Sequence, residues 1–250
     1  MEPNPFKSNL HASTLSAQDI DQGLRNYMLG VYNNMALGVA LTAIASWLVF
    51  NLSFITTAGG QIAPTEIGQM LFLSPMRWVL MLAPLAMVLV LSFGINRLAP
   101  STARLLFFVY AAMVGVSVAT IFVVYQGESI ARVFFITAAA FGGLSLYGYT
   151  TKRNLSAFGS FLTMGLIGVL IAMVVNLFLQ SSALQFVISV CGVLVFAGLT
   201  AYDTQKIKEM YLADDHPDVA GRKSVMGALA LYLDFINLFL FLLHLFGRRE

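Results

Sequence analysis

The 250-residue chain is 58% hydrophobic and only 10% charged, and its mean hydropathy is +0.81. Because an ordinary soluble domain has about 25% charged residues, this composition excludes a soluble protein and predicts an integral membrane protein. The net charge of +2 is small and the basic residues occur singly or in pairs, which excludes nucleic acid as a partner and a polybasic lipid anchor.

The first 29 residues are polar and contain no short apolar core, so we expect no cleaved signal peptide there. Residues 1–29 are therefore predicted to be an amino-terminal tail. Residues 30–250 are predicted to form a single transmembrane domain in contact with membrane lipids.

Seven segments are apolar and long enough to cross the bilayer, which takes about 20 residues per helix. They lack the alternation of barrel strands, so helices are the expected form, since each backbone amide in hydrocarbon must be bonded within its own segment. The sequence thus predicts an all-α protein with seven transmembrane helices, at residues 30–53, 78–96, 104–124, 131–151, 156–180, 183–204 and 224–246.

The distribution of Lys and Arg between alternate loops predicts a cytoplasmic amino terminus, because ten basic residues fall on that side and four on the other. Arg248 and Arg249 would then lie outside. A re-entrant last segment, which would return them to the inside, is the alternative to a full crossing.

Other residues give weaker signals. Ala138 with Gly142, and Ala139 with Gly143, form small-xxx-small pairs that predict close helix approach. Cys191 is the only cysteine and the three histidines are dispersed, so no disulfide, zinc site or haem site is expected, and no cofactor.

Two aspartates lie in or beside apolar segments. Asp203 follows Ala201-Tyr202 near the end of the sixth segment, and Asp234 follows Leu231-Tyr232-Leu233 inside the seventh. An ionised carboxylate within a membrane costs several kcal/mol unless it is paired, protonated or hydrated, so both are candidate functional residues. The alternative is structural: Asp203 pairs with Lys206, and Asp234 is protonated and bonded to a neighbour.

Helix spacing places Asp234 about 16 Å along its helix from Lys223, near mid-membrane, and Asp203 about one to two turns away from it in depth. Asn237 lies three residues after Asp234, on the same face of the helix, and is a candidate polar group that supports the carboxylate. If the two aspartates meet, they share a proton and titrate as a unit, which makes a pH switch. Their oxygens also suit calcium, as transient ligands, although calcium takes 6 to 8 oxygen ligands in all.

The stretches Gly198-Leu199-Thr200-Ala201-Tyr202-Asp203-Thr204-Gln205-Lys206-Ile207 and Ala228-Leu229-Ala230-Leu231-Tyr232-Leu233-Asp234-Phe235-Ile236-Asn237-Leu238-Phe239 resemble the two signatures of the Bax inhibitor-1 family, the transmembrane Bax inhibitor motif proteins. The order of the stretches and the acidic loop between them agree with this family. The compact size is similar to that of its bacterial branch.

The resemblance implies a seven-helix fold with the last helix central, located in the bacterial inner membrane. It also implies a pH-sensitive calcium leak, not an enzyme, governed by a pair of aspartates that match Asp203 and Asp234. In some members a basic residue at the end of the second helix latches one aspartate, and Arg97 is the nearest candidate for that latch here.

Two alternatives to the leak stay open. An intramembrane aspartyl protease also has aspartates on two successive helices, but its second aspartate follows Gly-x-Gly, where this chain has Leu231, Tyr232 and Leu233. The other alternative is a regulator that binds another membrane protein, such as a membrane-bound protease, with the aspartates serving stability.

Overall fold

The computed structural model describes residues 17–57 and 61–249, and side chains from residue 22 onward within them. Residues 1–16 of the predicted tail, which include His11, lie outside the described residues. Seven helices in the described part are long and apolar enough to cross a membrane. The predicted all-α membrane fold with seven transmembrane helices is confirmed.

The spanning helices are longer than their apolar segments. The helix α1 begins at Ala17 rather than at residue 30, and the last helix begins at Pro217 rather than at 224. Hydropathy detects only the apolar part of a helix, whereas polar residues at its ends continue the same backbone hydrogen bonds. The long helices are α1 (Ala17–Ser53), α3 (Met76–Gly94), α4 (Pro100–Val118), α6 (Gly127–Thr150), α7 (Ser156–Leu179), α8 (Ser182–Glu209) and α9 (Pro217–Phe246).

Short elements connect these helices. Between α1 and α3 lies an antiparallel hairpin of β1 (Phe54–Thr56) and β2 (Ile62–Pro64), followed by α2 (Glu66–Gly68) and a π-helical turn, Gln69–Leu73. The end of α3 tightens into a 3-10 turn, Ile95–Arg97, and α5 (Ile121–Val124) continues the direction of α4. The segment between α1 and α3 is therefore folded, although the sequence indicates only a loop.

Contacts between the loops define the two ends of the bundle. At the end where α9 begins, which we call the basic end, Arg222 donates to the Leu98 carbonyl at 3.4 Å. At the opposite end, the far end, the Gln126 amide donates to the Arg248 carbonyl at 3.1 Å, and the Arg248 amide donates to Ser129 Oγ at 2.9 Å. The helix α9 thus runs the full length of the bundle and is not re-entrant.

The last helix is the most enclosed. In its most apolar stretch 67% of the residues are buried, against 11% for α3 and for α7. It packs against α8, α1, α6 and α4. The expected central position of the last helix is confirmed, and a carboxylate on α9 is consequently surrounded by protein.

The predicted close approach at the small residues of α6 is wrong. A Cβ built on Gly142 or Gly143 would meet nothing within 4 Å. The close approaches are elsewhere: a Cβ on Gly148 would collide with the Ala201 carbonyl of α8, and one on Gly115 would lie 2.5 Å from the Thr42 carbonyl of α1. Small residues permit close packing but do not determine which face of a helix is packed.

Candidate functional site

Asp203 and Asp234 meet at the interface between α8 and α9. Their carboxyl groups lie within hydrogen-bonding distance of each other, and Asp234 is only 4% exposed. The separation of one to two turns expected from helix spacing is therefore wrong. That estimate took Lys223 and the start of α8 as membrane boundaries, whereas α8 continues to Glu209 and α9 begins at Pro217.

The environment of Asp203 is more open than that of Asp234, since its side chain is half-buried. Lys206 is near enough to act on its charge, but the Lys206 ammonium lies over the Tyr202 ring, 5.8 Å from the centroid. Among the described residues, no ion pair joins Asp203 to a basic side chain. The simple pairing of Asp203 with Lys206 does not occur in this conformation.

Thr204, the neighbour of Asp203, is fixed by a chain of hydroxyl groups. Its Oγ1 donates to the Thr200 carbonyl at 2.7 Å and lies 2.9 Å from Ser145 Oγ on α6. Ser145 Oγ in turn lies 2.6 Å from the Tyr32 hydroxyl on α1. This chain joins three helices directly beside Asp203.

Gln205, in the first signature stretch, and Lys208, just after it, also have protein partners. Gln205 accepts from the Leu155 amide at 2.8 Å and donates to the Arg153 carbonyl at 2.8 Å, which attaches the loop between α6 and α7 to α8. Lys208 donates to the Tyr149 carbonyl at 2.8 Å. These side chains fix α8 in place.

Tyr232 in the second signature stretch is fully buried, and its hydroxyl lies 2.6 Å from Thr42 Oγ1 on α1. The rings of Phe107 and Tyr110 on α4 contact the Tyr232 ring edge-on, with centroids 5.6 Å and 5.7 Å away. Tyr232 therefore connects α9 to α1 and α4 two residues before Asp234.

Four phenylalanines, which we call the aromatic barrier, pack together around Phe235, the residue after Asp234. Phe235 contacts Phe134 and Phe141 of α6, with centroids 5.6 Å and 5.5 Å away, and Phe134 contacts Phe239 at 6.1 Å. Such edge-to-face contacts add packing energy to the burial of the rings. They make the surroundings of the pair apolar on this side.

The other two candidate residues of the sequence analysis lie apart from the pair. Asn237 donates its amide to the Leu233 carbonyl of its own helix at 2.8 Å. Arg97 is exposed, on a turn that packs against α9 at the basic end. Among the described residues, neither forms a hydrogen bond or ion pair with Asp203 or Asp234 in this conformation.

Several residues that shape the site carry no distinctive signal in the sequence. Tyr32, Ser145 and Thr42 are polar residues within apolar helices, and their partners are as far as 190 positions away in the chain. Isolated Ser, Thr and Tyr residues are common in membrane helices. Only the three-dimensional contacts distinguish them.

The chemistry available to the pair is proton uptake. Two ionised carboxylates at this separation repel each other, whereas one proton between them forms a hydrogen bond, so the pair takes up a proton as a unit. Asp234 Oδ2 has no hydrogen-bond partner among the described residues.

Comparison with known proteins agrees with the two signature stretches. Residues 24–250 match the family model described as inhibitor of apoptosis-promoting Bax1. The chain is 46% identical to a Rickettsia prowazekii protein over 95% of its own length and 96% of the relative. It is 45% identical to inner membrane protein YbhL of Escherichia coli, over 91% and 94% of the two chains.

A more distant relative, a Streptococcus pyogenes membrane protein, is 35% identical over 92% of this chain and 96% of the relative. The family match covers nearly all of the described bundle, including both aspartates. The chain is therefore a multi-pass membrane protein of the Bax inhibitor-1 family.

Proposed function

We propose that the protein is a pH-sensitive calcium leak whose permeation is governed by protonation of Asp203 and Asp234. One observation carries this proposal: Thr204 and Gln205 beside the pair are bonded to other parts of the bundle, whereas Asp203 and Asp234 meet each other and, among the described residues, form no ion pair with a basic side chain. Intramembrane carboxylates are costly and typically mark ion or proton pathways. The pair is thus the group of the bundle that is best suited to respond to pH.

Calcium is the permeant ion and not a resident cofactor in this proposal. Asp203 and Asp234 supply at most four oxygens, and calcium takes 6 to 8, so water and backbone carbonyls complete a transient coordination shell. Weak binding favours permeation, since an ion must leave the site as readily as it enters. Arg97 acts as a latch only in a conformation that brings the end of α3 closer to α8.

The aromatic barrier is the closed gate in this proposal. Phe235 and Phe239 stand on α9 between the pair and the far end, and they pack against Phe134 and Phe141. A hydrophobic constriction excludes hydrated ions until it widens. Loss of the shared proton restores repulsion between Asp203 and Asp234, which pushes α8 and α9 apart and loosens these contacts.

We further propose that the protein lies in the bacterial inner membrane with its amino terminus in the cytoplasm. The E. coli relative is named as an inner membrane protein. The excess of Lys and Arg at the basic end supports this orientation, because such residues are retained on the cytoplasmic side. The more open member of the pair, Asp203, then faces the cytoplasm.

The protease alternative has less support. Leu231 and Tyr232, which precede Asp234, are 0% exposed in the described bundle, whereas an aspartyl protease needs room there for a substrate backbone. We therefore propose a role that is not enzymatic. The regulator alternative makes a different prediction, since it requires no ion flux through the protein.

The test is calcium uptake into liposomes that contain the purified protein, measured across a pH series. The proposal predicts that uptake depends on pH in the wild type and no longer does so in Asp234→Asn, because Asp203 then has no carboxylate with which to share a proton. The matched control is Asp218→Asn at the exposed start of α9, which should retain the wild-type response. No uptake above protein-free liposomes at any pH would instead favour the regulator.

A further inference from the structure

A cleft between α1 and α6 opens to the lipid near the basic end of the bundle. Both helices pack against α8 and α9 but are not packed closely against each other, and the cleft between them has a volume of about 470 Å³. This volume is within the range of sites for small molecules. Leu29 and Leu146, which line its two sides, are 47% and 62% exposed, so the cleft is accessible from the bilayer.

The inner part of the cleft is apolar and has room for a chain. Gly142 lines it, and a Cβ built on this glycine would meet nothing within 4 Å. The two hydroxyl groups in the wall are bonded to each other, since Tyr32 lies 2.6 Å from Ser145 Oγ. Phe141 adds an aromatic surface beside Gly142. The inner part therefore suits hydrocarbon.

Arg25 lines the same cleft at the basic end. Its position is fixed by Tyr27, two residues later, whose ring contacts Tyr211 in the loop between α8 and α9, with centroids 5.6 Å apart. Arg25 precedes the apolar segment that begins at residue 30 by five residues, or about 7 Å along the helix, which is the level of the lipid head groups. The guanidinium is thus placed where a head group meets the cleft.

The charge of this end of the cleft is positive. The Arg25 side chain is exposed and, among the described residues, forms no ion pair. The Lys208 ammonium adds a second charge, since it donates to the carbonyl of Tyr149, which lines the cleft, and lies 5.3 Å from the centroid of the Tyr149 ring. None of the described residues that line the cleft is acidic. The cleft therefore favours an occupant with an anionic head and an apolar tail.

We propose that this cleft binds an anionic phospholipid, with the phosphate on Arg25 and one acyl chain along Gly142 and Phe141. Arginine suits this role because its guanidinium donates two parallel hydrogen bonds to phosphate oxygens, and basic pockets between membrane helices bind such head groups. A zwitterionic lipid binds more weakly, because Arg25 and Lys208 repel its ammonium group. The site does not depend on the calcium leak, since binding is measured without ion flux.

The measurement is native mass spectrometry of the full-length protein, freed of lipid in detergent. Phosphatidylglycerol and phosphatidylcholine with the same acyl chains are titrated separately, and the Kd of the first bound lipid is compared. We expect phosphatidylglycerol to bind about fivefold more tightly or better, the effect of one basic residue on an anionic head group. Inorganic phosphate alone should not displace it, because phosphate gains nothing from the apolar part of the cleft.

Arg25→Gln tests the head-group contact. It should weaken the binding of phosphatidylglycerol about fivefold and leave that of phosphatidylcholine unchanged. The matched control is Arg104→Gln, which removes an exposed arginine near the start of α4 that does not line the cleft. This control should bind phosphatidylglycerol as the wild type does.

Gly142→Phe tests the path of the acyl chain. The added ring fills the inner part of the cleft, so the tight binding of phosphatidylglycerol should be lost. Gly143→Phe is the matched control, because a Cβ there also meets nothing within 4 Å but Gly143 does not line the cleft.

Four results would overturn the proposal. Two concern the lipid itself: equal affinity for the two lipids in the wild type, or unchanged affinity for phosphatidylglycerol in Arg25→Gln. Displacement of the lipid by inorganic phosphate would show a site for a free anion. A dimer that is present in the wild type and lost in Gly142→Phe would assign the cleft to a second copy of this chain.

Discussion

The hydroxyl of Tyr232 on α9 lies 2.6 Å from the hydroxyl of Thr42 on α1, at a point where both side chains are buried. Thr42 also reaches the Ala111 carbonyl of α4 at 2.8 Å. The Thr42 hydroxyl thus joins three helices. Its partner Tyr232 lies two residues before Asp234 in the chain. This junction holds α9 in position beside the aspartate pair.

Removing the Tyr232 hydroxyl should destabilise the bundle modestly. In Tyr232→Phe, Thr42 keeps its backbone acceptors, so we expect a loss of about 0.6–1.7 kcal/mol, the range of hydrogen bonds between membrane helices. Unfolding in mixed micelles measures this loss. Thr42→Val with Tyr232→Phe completes a double-mutant cycle, and additive losses in the double variant would contradict a direct bond between the two hydroxyls.

Two glycines of α6 should respond in opposite ways to the same substitution. Gly148→Ala places a methyl group against the Ala201 carbonyl of α8, and we expect a loss of about 1–3 kcal/mol from overpacking. Gly142→Ala adds a methyl group in open space, so helix propensity should make it neutral or stabilising by up to about 1 kcal/mol. Thermal unfolding of both variants in one detergent decides this, and equal destabilisation would contradict the described packing of α6.

Lys223 should hold the loop between α8 and α9. Its ammonium donates to the Met210 carbonyl at 2.9 Å and to Asp215 at 2.5 Å, and both side chains of this ion pair are mostly buried. Lys223→Met leaves two partly buried acceptors unpaired, so we expect a loss of about 1–3 kcal/mol. Hydrogen exchange at residues 210–216 should become faster, whereas Lys152→Met at an exposed position should leave exchange there unchanged.

The proposed gate at the aromatic barrier predicts how the calcium flux responds to a smaller side chain at Phe235. Phe235→Leu removes the ring contacts to Phe134 and Phe141 while keeping an apolar side chain. We expect a severalfold higher calcium leak at the pH where the wild type conducts least, because a smaller side chain widens an apolar constriction. Phe161→Leu on the exposed face of α7 is the matched control, and an equal leak in both variants would contradict a gate at Phe235.

The sequence predicts the helices well because hydropathy measures the property that places them in lipid. It underestimates their lengths, as at Ala17 and Pro217, since polar helix ends outside the hydrocarbon have no hydropathy signal. It also identifies Asp203 and Asp234 as unusual. Their contact could not be derived from spacing, because the tilt and offset of α8 against α9 depend on packing along the whole interface.

Other features of the site depend on contacts that no local pattern specifies. Gly142 and Gly148 are both glycines of one helix, but only Gly148 meets a neighbour. The same is true of serines: Ser145 is bonded to Thr204, whereas the buried Ser46 hydroxyl has no partner among the described residues. Residue type determines what a side chain can bind, and the fold determines what is within reach.

The central claim is that Asp203 and Asp234 act as one titrating unit that governs permeation. Its most direct test is calcium uptake into liposomes, across a pH series, for Asp203→Asn, Asp234→Asn and the double variant. The account predicts that either single change removes the pH dependence and that the double variant behaves like the single ones, because a shared proton is lost with either partner. A pH response that survives in both single variants, or effects that add in the double variant, would contradict it.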